Sequence, residues 1–165
     1  AAFCEEEPDM ASDDKSSLLI GVDFSEGSER ALARAVRLAQ RLNAHLHVVH
    51  VYEPLAVVAQ EAVLMTGEIQ GQLEAERSQR RKEGEALCER TIGDKVAYTF
   101  RVVDGLALDG MLSAIHELKP ELVVVGSHGR GALMRMLMGS VSTALCRRCP
   151  VPVVVVPTAE QEAAS

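Results

Sequence analysis

The sequence predicts an α/β fold: a five-stranded, doubly wound parallel sheet of order 3-2-1-4-5 with helices on both faces. The first observation is alternation, in which short β-branched apolar runs are separated by longer stretches of helical period, in the order β-α-β-α-β-α-β-α-β. Helical segments of that length serve as right-handed crossovers between parallel strands. The second is size: 165 residues, 47% apolar and 25% charged, are enough for one domain with a buried core. No internal repeat interrupts the pattern.

The first strand is Leu18 to Val22, ending at Asp23. Ser25 follows as a candidate N-cap. Behind it Ala31, Ala35, Leu38 and Leu42 recur at helical spacing, and Arg30, Arg34, Arg37 and Arg41 fill the other side. The second strand, Leu46 to Tyr52, runs into Pro54 and an apolar segment, Leu55 to Met65, whose conformation the pattern leaves open between a lid, an irregular helix start and a partner surface. From Glu68 to about Arg90 the chain is charged, with Ile69, Leu73 and Leu87 as a sparse apolar stripe and Gly93 near the end, which reads as a solvent-facing helix. The third strand is about Val96 to Val103 and the third helix about Leu108 to Leu118, stopped by Pro120. Strand four, Leu122 to Val125, enters a glycine-rich loop; a helix from about Ser140 to Arg147 and a last strand, Val153 to Val156, complete the domain at 17–157.

Residues outside that span are predicted to be disordered: an acidic leader, 1–16, and a short polar tail, 158–165. The leader holds six acidic residues against Lys15 and so accounts for five units of the net charge of -7. The rest of the chain lacks the basic excess that neutralises phosphate backbones, and two Tyr, three Phe and no Trp make poor stacking platforms, which argues against nucleic-acid binding. No apolar run approaches the about 20 residues of a membrane helix, and the acidic start is unlike a presequence, so a cytoplasmic protein without membrane contact is expected. Four cysteines, Cys4, Cys88, Cys146 and Cys149, in a chain of this size suit a reducing compartment.

The chemistry is expected after strand four, where Gly126-Ser127-His128-Gly129-Arg130-Gly131 is followed by Gly139-Ser140-Val141-Ser142. Glycines at 126, 129 and 131 permit positive φ and a close backbone approach, so that successive N–H groups can line one anion hollow. Ser140, Val141 and Ser142 offer N–H groups and hydroxyls at a helix N-terminus, whose dipole favours a phosphate chain. Ligands of open α/β sheets bind outside the carboxyl ends of the strands where strand order reverses, which in order 3-2-1-4-5 places Asp23 and Gly126 at one crevice. A carboxylate there suits ribose hydroxyls or a purine amino group. The plainer reading, that the glycines only shape a tight strand-to-helix loop, stays open at this level.

The G-2x-G-9x-G-[S/T] pattern met by Gly126, Gly129, Gly139 and Ser140 resembles the ATP-binding branch of the universal stress protein family. Gly21-Val22-Asp23-Phe24-Ser25 looks like that family's first-strand motif, His50-Val51 like the end of its second strand, and Cys149-Pro150-Val151-Pro152-Val153 like the approach to its last, so that the resemblance covers about 17–157. It implies that Asp23 and Val51, the latter through its main chain and with Gly21 close by, hold adenine. Gly126, Ser127, His128, Gly129 and Arg130, with Gly139, Ser140, Val141 and Ser142, would wrap ribose and phosphates. It implies ATP as ligand, with Mg2+ or Mn2+ carried mainly by the phosphates, a homodimer paired through Val151 to Val156, and a regulatory role in stress response exercised with further protein partners. The segment Leu55 to Met65 and the acidic leader depart from the family pattern.

Other readings are weaker. A phospho-acceptor receiver needs a lysine past the last strand, where this chain has Pro157; a dinucleotide oxidoreductase needs G-x-G-x-x-G after the first strand, where it has Asp23-Phe24-Ser25-Glu26. Cys146-Arg147-Arg148-Cys149 has C-x-x-C spacing but no second pair, and is read as helix-end packing. His45 and His47 share a strand face with His50 on the other, and these, like His116, are read as ordinary structural positions. No nucleophile–base pair has a recognisable spacing, so no catalytic residue is named and a dedicated enzyme is not expected. The alternative from another class is a nucleotide-independent interaction or chaperone-like module using Met134, Met136, Met138 and Leu55 to Met65 as adaptable contacts.

Overall fold

The computed structural model describes residues 16–53, 67–129, 138–159 and 163, with side chains in the second segment from residue 70. Its elements run β1 (Ser17–Gly21), α1 (Glu26–Leu42), β2 (His45–Tyr52), α2 (Gly67–Thr91), β3 (Tyr98–Asp104), α3 (Ala107–Leu118), β4 (Leu122–Gly126), α4 (Ser140–Arg148) and β5 (Val153–Val156). Every described pairing is parallel, and the sheet order is β3-β2-β1-β4-β5, as the alternation predicts. Boundaries agree with the sequence pattern to within about two residues, the usual fraying range.

Side chains alternate across the sheet and build two cores. Leu18, Ile20, Leu46, Val48 and Val124 face α1 and α2, whereas Leu19, Val49, Val123 and Val125 face α3 and α4. Burial on both sides explains why β1 and β4 read as unbroken apolar runs. β5 pairs with β4 and carries Val154, 39% exposed, on the last strand of the sheet. Among the described residues no helix is long and apolar enough to cross a membrane.

Two helices differ from expectation in how they dock. The buried stripe of α1 is Ser28, Ala31, Leu32, Ala35, Val36 and Ala39, while Leu42 is 47% exposed and Leu38 only packs at the margin, lying about a quarter turn from the stripe's axis. Among the described side chains of α2 the last turns enter the core, through Gly84, Leu87 and Cys88, with Ile92 just beyond. Leu73 is half-buried, and the side chain of Ile69 lies outside the described residues. The exposed part of α2 is tied down by polar contacts instead: Tyr52 Oη donates to Glu76 Oε2 and Arg77 pairs with Asp104 at 3.3 Å. Burial, followed by that Glu76 carboxylate, pushes the Tyr52 phenol up to about 12. Gly93, with φ of 51°, caps the helix by donating to Cys88 O at 3.3 Å.

Candidate functional site at the carboxyl end of the sheet

β1 and β4 are neighbours, with Leu18 opposite Leu122 and Ile20 opposite Val124, so the turns that leave them meet. The first turn is set by its cap. Ser25 Oγ accepts from Ser28 N at 3.2 Å, capping α1, and donates to Asp23 Oδ1, which also accepts from Ser25 N at 3.1 Å. Ser28 Oγ in turn accepts from Asp23 N at 3.2 Å and donates to Ser25 O at 3.0 Å. The bonds that start the helix therefore also fix the Asp23 carboxylate at the crevice.

The second turn lies directly on the first. A Cβ on Gly126 would sit 3.0 Å from Gly27 O, and one on Gly129 would sit 2.5 Å from Asp23 Oδ2. Neither glycine has positive φ, which corrects the expectation for these two; what both positions exclude is bulk, because the neighbouring turn occupies the space. Ser127, 3% exposed, ties three elements together: its N–H donates to Val156 O at 2.7 Å, and its C=O accepts from Gly139 N at 2.6 Å and from Ser142 Oγ at 3.1 Å. Its hydroxyl lies 3.1 Å from His128 Nδ1.

α4 opens at Gly139, which supplies no side-chain cap, and its first intrahelical bond is Thr143 N to Gly139 O at 3.0 Å. The amides of Ser140, Val141 and Ser142 precede that bond and form the positive end of the helix. Ser140 is exposed, whereas Ser142 is buried and its hydroxyl donates to Ser127 O and Gly139 O, so Ser142 presents its amide rather than its hydroxyl.

Val51 closes the crevice on the β2 side. Val49 O accepts from Val22 N at 2.9 Å, and Tyr52 O accepts from Gly105 N on the β3 side. By strand alternation the N–H and C=O of Val51 face the β1 side, just past the end of β1. The Val22 carbonyl, which a longer β1 would give to Val51, accepts instead from His50 Nδ1 at 2.8 Å, and this bond fixes the imidazole tautomer. The His50 ring, 6% exposed, lies against Phe24 with centroids 4.4 Å apart, and Phe24 itself takes φ of 61°. Sequence reasoning quotes both residues within the strand motifs but foresees neither their contact nor the bond to Val22 O. The His50 signal, a polar residue inside an apolar strand, was visible; left-handed backbone at a phenylalanine leaves no signal. Gly21 sits at the end of β1, its missing side chain replaced by Met111 of α3 at 2.9 Å.

The structure thus brings together Asp23, Gly126, Gly129, Gly139 and the α4 amides. Arg130, Gly131, Met134, Met136 and Leu55 to Met65 lie outside the described residues. Two surface clefts of about 370 and 400 Å³ lie elsewhere, one between Phe24 and α2 and one lined by Gln40, Asn43, His45 and Lys95. Neither gathers the helix-end amides and close backbone turns that suit a phosphate chain. His45 and His47 do share a face, with rings 4.7 Å apart, and both reach Thr99 Oγ1, at 3.4 and 2.8 Å. Burial first, then His45 and Arg101, holds the His47 imidazole down at about 4. Among the described residues no three metal-ligating side chains cluster. Of the C-x-x-C pair, Cys149 packs on the second core as expected, whereas Cys146 is exposed.

Comparison with known proteins agrees with this fold. The family model described as universal stress protein family matches residues 16–157. A universal stress protein of Mycobacterium tuberculosis is 35% identical over 141 residues, which cover 84% of this chain and 44% of that protein, so the chain spans less than half of that relative's length. A solved universal stress protein in complex with cAMP is 26% identical, covers 86% of this chain and 95% of its own, and superposes with a TM-score of 0.58. A universal stress protein from Archaeoglobus fulgidus in complex with dAMP, 19% identical with a TM-score of 0.57 and covering 85% and 96%, shares the fold. With the sheet order, the crossed turns and a family match running from the start of β1 to past the end of β5, the chain belongs to the universal stress protein family.

Proposed function

We propose that this chain binds an adenine nucleotide, ATP with Mg2+ or Mn2+, in the crevice between the β1 and β4 turns, and that nucleotide occupancy sets which surface it offers to partners in stress response. The observation that carries this reading is the α4 N-terminus: three amides ahead of the first intrahelical bond, no side-chain cap, and the bare turn Gly126–Gly129 beside them. That donor set fits a phosphate chain. In this reading Asp23 takes ribose hydroxyls or the purine amino group, the Val51 main chain the adenine edge, and Ser127 and His128 the ribose and phosphates, a role the sequence pattern extends to Arg130. The divalent ion is carried by the phosphates, whose charge it offsets. The cAMP complex of a relative with 26% identity supports the nucleotide class. A homodimer through Val151 to Val156 completes the reading, since an edge strand with an exposed valine gains by being covered.

Titration calorimetry with ATP, with and without Mg2+, tests it on wild type, Gly129→Val and Gly139→Val. Valine at 129 meets Asp23 and valine at 139 crowds Ser127 O, 3.3 Å from the Cβ position. Both are expected to lower affinity at least tenfold while circular dichroism stays that of the wild type. Undiminished ATP affinity in both folded variants overturns the proposal.

A further inference from the structure

The described cysteines divide by environment. Cys88 is 0% exposed within the first core, and burial, then Glu85, pushes its thiol up to about 12, which keeps it inert. Cys146, exposed, in the last turn of α4 and Cys149, half-buried, at its C-cap are free thiols. We propose that this pair is a thiol–disulfide exchange site for small anionic disulfides.

The backbone supports bridging. α4 is helical through Arg148, and Cys149 N donates to Leu145 O at 2.9 Å, so the last turn closes on Cys149. Three helical steps separate the two Cα atoms by about 5 Å, within the roughly 4.4–6.8 Å span of disulfides. Cβ atoms at that spacing stand about 5–6 Å apart, wider than the about 3.8 Å of a relaxed bridge. Closure must tighten the turn, and a strained bridge opens readily, which suits exchange better than permanent stapling. Arg147 and Arg148, both exposed, follow Cys146 within the same turn on the adjoining faces of the helix, and their positive charge draws an anionic partner toward this end of α4. The pair is only half of a tetrahedral metal set, and no third ligand joins it among the described residues.

Glutathione disulfide is the probe. The Cys146 thiolate attacks one of its sulfurs, forming a mixed disulfide and releasing one glutathione thiolate. The Cys149 thiolate then attacks the Cys146 sulfur, closing the intramolecular bridge and releasing the second glutathione. The two cysteine protons end on the two glutathione thiolates; the protein is oxidised and the probe reduced.

The full chain, reduced and then treated with glutathione disulfide, is read by intact mass and by trypsin mapping after alkylation of remaining thiols. Trypsin cuts after Arg147 and Arg148, so only a disulfide keeps the two cysteine fragments together. The expected result is loss of two hydrogens, a linked Cys146–Cys149 pair, and reversal by excess reduced glutathione. Cys149→Ser should stop at one glutathione adduct on Cys146, and Cys149→Ala gives the same reading if serine disturbs the core. Thiols that both remain alkylatable, an adduct confined to Cys149, or a bridge to another chain or to Cys4 overturns the proposal.

Discussion

Ser25 carries two duties through one hydroxyl: it caps α1 and holds Asp23 Oδ1. Ser25→Ala is expected to cost about 1 kcal/mol in urea unfolding, the usual worth of a cap. It should also weaken nucleotide binding, because the carboxylate loses its support; a calorimetric affinity equal to wild type would separate the two duties. His47 gives a pH prediction. Its folded value, about 4, lies below the ordinary imidazole value of 6.5, so the neutral ring is favoured in the fold. That contribution is complete above pH 6.5 and is lost as pH falls toward 4. His47→Gln should flatten the pH dependence of the urea midpoint across that window while leaving neighbouring groups to titrate. At this scale the sequence shows which residues gather but not what each one does. The glycine pattern marks positions 126 and 129, yet only the neighbouring turn reveals that they are bare to admit Gly27 O and Asp23. Ser142 reads as a ligand hydroxyl, but its proton is spent inside the turn.

At the scale of elements, apolar periodicity is enough to find the five strands and four helices of the described residues, because strands buried on both faces and helices with one apolar side leave contrasting patterns. It placed α1 correctly and its stripe imperfectly: alanines are weak apolar signals, and Leu38 and Leu42 outshine Ala39, which is the buried one. α2 was harder, since a glycine does the docking. A Cβ on Gly84 would lie 1.9 Å from the Phe100 ring, so the helix rests on β3 through its backbone. Gly84→Ala should destabilise the protein by about 1–3 kcal/mol despite alanine's better helix propensity, the cost of forcing bulk into a packed contact. Unfolding at or above the wild-type urea midpoint would show that Phe100 has room to move aside.

For the whole molecule, the crevice lies where the two cores meet. Asp23 leads into α1, which packs on the first core, and the amides belong to α4, which packs on the second. A nucleotide spanning both should stabilise the native state as a unit, by about 2.7 kcal/mol at a concentration of 100 Kd, visible as a concentration-dependent rise in melting temperature that Gly139→Val abolishes. The pairing of Leu18 with Leu122 carries a further consequence, one of timing. β1 leaves the ribosome well before its β4 neighbour, and α4 comes later still. A nascent chain therefore lacks the crevice between the two turns until α4 has been made, whatever part of the domain has folded before.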